Sequence, residues 1–253
     1  MKNVLISCAT SGMGCEIARE LSVDTNLVLA ARNQDKLALL GSDLKSTQTR
    51  SSIQTLPLDF FDSESVDNCT SMVSEALDGI VFIIPRIQAS TVVFPDDQEW
   101  QELYSNYFIK PLRLLKNLVE SGKLNRGCKI VMISGISSKS ALSHYAQNNC
   151  LRSAWVGQAK TMALALGEQG ISVNTISLGG VMTDSYTEKM QNKAKDRNIC
   201  FDDLMKNEVS NVPLRKYATV GNVVATVTAL LGPMADHLTG QNLMLDGGFF
   251  KGY

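Results

Sequence analysis

Ser7-Cys8-Ala9-Thr10-Ser11-Gly12-Met13-Gly14 follows a short apolar run, residues 3–8, and opens a segment, residues 14–21, whose apolar positions fall at helical spacing. A glycine-bearing turn between a strand and a helix lets backbone approach a pyrophosphate, and the helix N-terminus offers free N–H groups and a favourable dipole to the negative charge. Gly12 and Gly14 suit that use, with Ser7, Ser11 and Met13 completing the turn as candidate dinucleotide contacts. An ordinary strand-to-helix turn reads the same in isolation, so neighbouring segments must decide.

Downstream, apolar runs of strand length at 26–30, 52–58, 79–84, 128–134, 172–178 and 241–245 alternate with helix-length segments at 100–118, about 148–166 and 220–231. Most of the runs are continuously apolar, as strands covered on both faces are. With the first strand they make an α/β fold: a doubly wound, seven-stranded parallel sheet with helices on both faces. The chain has 253 residues, 44% of them hydrophobic, which suits one sizeable core and a single domain over 1–253.

A formal charge of −1, from 24 basic and 25 acidic residues that are well mixed, offers no basic footprint for nucleic acid and no polybasic membrane anchor. No apolar run reaches the ~18 residues that span a bilayer, and residues 1–6 lead into a strand pattern rather than a cleavable signal. A cytosolic, cytoplasmic protein with a small-molecule substrate is expected. The 6 cysteines are scattered, without a C-x-x-C pair or nearby histidines, so reduced thiols and no metal are expected.

Ala30-Ala31-Arg32-Asn33 ends the second strand. It lacks the acid that would bind the ribose hydroxyls of NAD and puts Arg32 where a 2′-phosphate would sit, so NADP(H) is expected in preference to NAD(H). Asp59 could accept a hydrogen bond from an adenine amino group, or cap a helix.

From about residue 3 to residue 248 the chain resembles the short-chain dehydrogenase/reductase family. Val212-Pro213-Leu214-Arg215-Lys216-Tyr217, then 238–248 ending in Leu245-Asp246-Gly247-Gly248, look like the family's C-terminal stretch; Gly170-Ile171-Ser172-Val173-Asn174 and Asn106 are also family-like. The resemblance implies a Rossmann-type sheet, hydride transfer with NAD(P)H, and a homotetramer or homodimer in which Phe249, Phe250 and Tyr253 would be buried. It also implies that Val181 and Thr183 hold the nicotinamide carboxamide.

The departures carry the functional question. The family's Thr-Gly pair is Ser7-Cys8, and its Asn-Asn-Ala-Gly stretch becomes Phe82-Ile83-Ile84-Pro85, followed by Arg86. A gapless count back from Val173-Asn174 puts Gly135 at the family's serine, Asn148 at its tyrosine and Arg152 at its lysine, leaving Asn106 alone of the tetrad. Asn148 cannot do a tyrosine's acid chemistry, and Arg152 could hold the nicotinamide ribose through its fork but is not equivalent to a lysine. Tyr145 stands in a Tyr-x6-Arg pattern with Arg152, similar to the Tyr-x6-Lys of enoyl-acyl carrier protein reductases, or it packs at the helix entrance. His144 and the hydroxyls of Ser134, Ser137 and Ser138 are further candidate donors, and Lys110 reads more simply as a solvated lysine.

Residues 183–212, with scattered apolar residues Tyr186, Met190, Ile199, Phe201, Leu204 and Met205, read as a helical lid whose methionines and aromatics line an apolar pocket, a pattern that any amphipathic helix covering the core shares. The preferred function is an NADPH-dependent reductase of an α,β-unsaturated carbonyl or enoyl-type substrate. The alternatives are a carbonyl reductase using Tyr145 as acid, and a non-redox dinucleotide-binding protein.

Overall fold

In a computed structural model, which describes residues 1–47, 50–88 and 90–252, the seven-stranded sheet has the order β3-β2-β1-β4-β5-β6-β9 with every pairing parallel. Its strands are β1 (Lys2–Ser7), β2 (Thr25–Ala31), β3 (Ile53–Pro57), β4 (Leu77–Ile83), β5 (Leu124–Gly135), β6 (Ser172–Leu178) and β9 (Asn242–Leu245). The apolar runs set these elements because both sheet faces are covered. Leu5 and Ile80 point into a core closed by α3 (Ser63–Met72), α5 (Lys110–Glu120) and α6 (Ala146–Leu166). Ile6 and Val81 point into the opposite core, closed by α1 (Gly12–Leu21), α2 (Gln34–Ser46) and α9 (Val220–Leu231). The first crossover carries the chain from β1 to β2, while β4 pairs on the other side of β1, so the order reverses at β1/β4. A crevice outside the strand C-termini forms at such a switch point.

The segment read as one helix over 100–118 is three pieces: α4 (Asp97–Tyr104), a π-helical turn at Ser105–Ile109, and α5. Pro111 has no N–H to give the Tyr107 carbonyl one turn back, and the indole Nε1 of Trp155 on α6 donates to that carbonyl instead, at 2.9 Å. Asn106 lies inside this turn.

The lid segment holds α7 (Asp184–Asp196) and α8 (Phe201–Glu208), preceded by β7 (Val181–Met182), which pairs with β8 (Ala218–Thr219) in a two-stranded sheet that the sequence pattern did not reveal. The expectation for its apolar residues needs correction. Met190 and Leu204 pack between the two helices in a small core of their own, and Ile199 is exposed. Of the methionines and aromatics expected to line the pocket, Tyr186 alone lines the cleft. Two short helices must bury a shared seam before they can present anything to a ligand. Tyr253, expected at an interface, lies outside the described residues; the Phe250 ring lies 4.9 Å beneath the Lys139 ammonium.

Candidate active site

At the switch point a cleft of about 920 Å³ opens, lined by the β1–α1 turn, the ends of β4, β5 and β6, and the start of α7. At the end of the cleft beside the β1–α1 turn, Ser11 caps α1 by accepting from Gly14 N at 3.1 Å, and the Ser11 carbonyl accepts from Cys15 N. Gly12 and Met13 begin the helix, and their N–H groups have no partner among the described residues. The two glycines differ in kind. A Cβ on Gly12 would meet nothing within 4 Å, leaving an open cradle, whereas one on Gly14 would lie 2.6 Å from the Cys8 carbonyl oxygen. Gly12 leaves room for a ligand and Gly14 lets helix and turn touch.

Two neighbours in the turn serve the fold. Ser7, expected among the cofactor contacts, is fully buried: its hydroxyl donates to the Ile83 carbonyl at 2.7 Å and accepts from the Ile83 N–H at 2.8 Å, tying β1 to β4. A buried hydroxyl must find partners, and the two here are backbone. Cys8 holds a left-handed backbone (φ 49°) that favours glycine, and its side chain packs against both cores, where burial pushes the thiol up to about 12. The side chain therefore turns away from the cradle.

Arg32, exposed at the end of β2, rests its guanidinium 5.5 Å from the Phe61 ring centroid. Asp59 follows β3 and accepts from the Phe61 N–H at 2.9 Å. Both stand outside the lining of the cleft, toward the β2–β3 edge. Val181, Thr183 and Arg86 line it, and Thr183 also caps α7 by accepting from Tyr186 N.

The other end of the cleft is organised around Arg152 on α6. Its guanidinium lies where a side chain on Gly135 would be: a Cβ there would overlap Nη1 and Cζ and stand 3.1 Å from Nη2. Glycine at the family's serine position and arginine at its lysine position are thus one spatial arrangement. Arg152 is largely buried and lines the cleft, yet it takes part in no ion pair or hydrogen bond among the described residues. Burial lowers its pKa, with Tyr145 acting in the opposite direction.

The remaining predicted residues separate. Asn148 is buried outside the lining of the cleft, its amide 3.4 Å from the Gln88 carbonyl. Tyr145, half-buried at the N-cap of α6, lies near enough to Arg152 and Tyr186 to influence both but does not line the cleft. Asn106 accepts from the Lys110 ammonium at 2.9 Å, and the same ammonium donates to the Phe61 carbonyl at 2.7 Å. Lys110 is therefore no solvated lysine: it pins the π-helical turn to the loop after β3. Ser138 bonds Ser177 at 2.7 Å, Ser137 reaches the Asn148 carbonyl at 3.4 Å, and Ser134 lines the cleft. Trp155 and Thr175 also line it, and no local pattern marks either, because both read as ordinary core positions.

Comparison with known proteins bears on the family and the fold. A 3-oxoacyl-[acyl-carrier-protein] reductase, FabG, of Rickettsia felis is 23% identical, over 98% of this chain and 96% of its own. The NADPH-dependent reductase BacG of Bacillus subtilis is 21% identical, over 99% and 98%. The crystal structure of YwfH, an NADPH-dependent reductase involved in bacilysin biosynthesis, superposes with a TM-score of 0.89 over 100% of this chain and 99% of that one, at 21% identity, a likeness of fold. No helix among the described residues is long and apolar enough to cross a membrane. Residues 8–250 match the family model described as Enoyl-(Acyl carrier protein) reductase, and the chain belongs to this family of short-chain dehydrogenases/reductases.

Proposed function

We propose that the protein is an NADPH-dependent reductase of conjugated, α,β-unsaturated carbonyl compounds. The observation that carries this reading is the unpaired Arg152 guanidinium, exposed to the cleft in the space left by Gly135. The residues present fit a dinucleotide: Gly12 leaves an open cradle beside the free N–H groups of Gly12 and Met13, and Arg32 offers a cation for a 2′-phosphate with no acid in the ribose position. NADPH supplies a hydride.

The protein's part is to stabilise the oxygen on which negative charge develops. Addition of hydride to the β-carbon sends the double-bond electrons toward the carbonyl and makes an enolate, which needs hydrogen-bond donors but no proton at oxygen. A guanidinium supplies fixed, charged donors and is a poor acid, so it suits an enolate. Simple ketone reduction makes an alkoxide that has to be protonated as it forms. Asn148 cannot protonate it, and Tyr145 would first have to swing into the cleft. The α-carbon of the enolate takes its proton from solvent. Ketone reduction with Tyr145 as the acid is the second reading, favoured by the names of the curated relatives, FabG among them.

The test is NADPH oxidation against matched enones and saturated ketones. Enone turnover at least tenfold above ketone turnover is expected, and Arg152→Met should lower it by about 10²–10³, the usual loss for one oxyanion donor, while fluorescence still detects NADPH binding. Ketones turned over as well as enones, with Tyr145→Phe abolishing both, would replace this reading with the second.

A further inference from the structure

The lining of the cleft includes residues of the paired strands β5 and β6, on the sheet face that α6 covers. Two of the residues lining it, Ser134 and Thr175, have buried hydroxyls with no hydrogen-bond partner among the described residues. The sheet register puts them together: Met132 pairs with Thr175 and Ser134 with Ser177, so Ser134 and Thr175 lie on adjacent strands, on one face, a single diagonal step apart. The helix over that face is α6, which contributes Arg152 and, three residues on, Trp155. Phe82, Met132 and Trp155 make the apolar walls, with the Phe82 and Trp155 rings 5.3 Å apart.

A recess in an apolar core therefore holds one cation and two hydroxyls, all without partners. A guanidinium only donates, and each hydroxyl has a proton to place, so the complement is a group that only accepts and carries negative charge. Bound dinucleotide does not provide one here, because its phosphates belong at the Gly12 end and its nicotinamide end bears none. We propose that this recess is a carboxylate site, and that the conjugated carbonyl reduced by this protein carries an acid group seated against Ser134, Thr175 and part of the Arg152 fork, whose N–H donors are numerous enough to serve the enolate oxygen as well. The inference deepens the proposed reaction and rests on it for the identity of the substrate's other half. The carboxylate itself is unchanged: the new C–H bond forms at the β-carbon, the carbon–carbon π bond breaks, and the solvent proton is taken at the α-carbon. Arg86 and Lys189 also line the cleft and favour an anion; of the acids there, Glu16 is engaged by Arg19, and Asp184 stands at the start of α7.

Trp155 makes the recess observable. In a Trp100→Phe background it is the sole tryptophan, and its emission is followed while trans-4-oxo-2-pentenoate or its methyl ester is titrated into the NADP⁺ complex. The acid is expected to bind about 30-fold more tightly than the ester, the size of one charged hydrogen bond. Arg152→Met should erase the preference, and Thr175→Val and Ser134→Ala should each reduce it several-fold, so the result does not hang on one variant folding. Equal binding of acid and ester would overturn the carboxylate site and leave a recess filled by water, even if both compounds are then reduced by NADPH. Preferential binding of the acid without its reduction would uphold the site and sink the proposed reaction instead.

Discussion

The two ends of the cleft depart from the family pattern in different ways. At the β1–α1 turn Cys8 is a single departure that the surroundings absorb: its backbone takes a left-handed conformation that favours glycine, and its side chain packs against both cores. At the catalytic end Gly135 and Arg152 are two replacements that need each other, because the guanidinium occupies the side-chain space the glycine vacates. A lone substitution in a packed turn is accommodated by its surroundings. A reciprocal pair sets a guanidinium in the cleft, and the proposed chemistry rests on that charge.

The sharpest way to break that comparison is Gly135→Ser. The new side chain and the guanidinium cannot share the space, so Arg152 has to leave the cleft. A loss of about 10²–10³ in kcat/KM is expected, with NADPH affinity and thermal stability close to those of the parent. Arg152→Lys in the same chain should recover part of the loss, because an ammonium needs less room. A coupling of about 1–3 kcal/mol from the double-mutant cycle is expected for groups in contact, and additive effects would show that the two positions are independent.

The glycines of the turn sharpen the other half. Gly14→Ala drives a methyl toward the Cys8 carbonyl and the Ala9 backbone, at 2.6 and 3.0 Å, and backbone cannot step aside cheaply. Overpacking of this kind costs about 1–3 kcal/mol, which chemical denaturation would register as an earlier midpoint. Gly12→Ala meets open space and should leave the midpoint unchanged or slightly raised. Its methyl enters the cradle, so NADPH titration should show weaker binding. A reversal of these two outcomes would exchange the roles assigned to the glycines.

The fold was legible because its signals are redundant. The apolar runs mark the sheet's seven strands to within a few residues, and several helices start at a capping side chain, as at Ser11 and Asp96. The site was legible only in part, because its logic is spatial. Gly135 and Arg152 stand 17 positions apart, and nothing in the spacing says that one fills the other's vacancy. Ser7 looked like a ligand contact because a hydroxyl in a glycine turn has that chemistry, and only the position of Ile83 on the neighbouring strand shows where its hydrogen bonds go. Lys110 misled in the opposite direction: its acceptors are Asn106 one turn back and a carbonyl 49 residues away, which no local pattern encodes.

Ser7→Ala separates fold from function at the phosphate end. The Ile83 N–H and carbonyl lose their partner inside the sheet, at a cost of about 1–3 kcal/mol. NADPH affinity measured well below the melting temperature should hold, since the hydroxyl is turned away from the cleft; a tenfold weaker complex would return Ser7 to the cofactor contacts.

Cys8 gives the smallest effect and the most direct reading of where its side chain lies. Its thiol is raised from 9.0 to about 12 by burial, helped by Asp59 and opposed by Arg32. Below pH 9 the folded and unfolded chains both keep the proton, and stability is unaffected. Above it the unfolded chain ionises while the folded one does not, so stability falls by roughly 1.4 kcal/mol per pH unit for this thiol until the folded group titrates. The buried Cys69 and Cys128 thiols, also raised to about 12, add to the same decline. Melting temperatures of the parent and Cys8→Ala, followed from pH 8 to 11, should therefore diverge in slope, with the variant losing stability more slowly. Parallel curves would place the Cys8 thiol in water beside the cradle, and the replacement would then bear on cofactor binding after all.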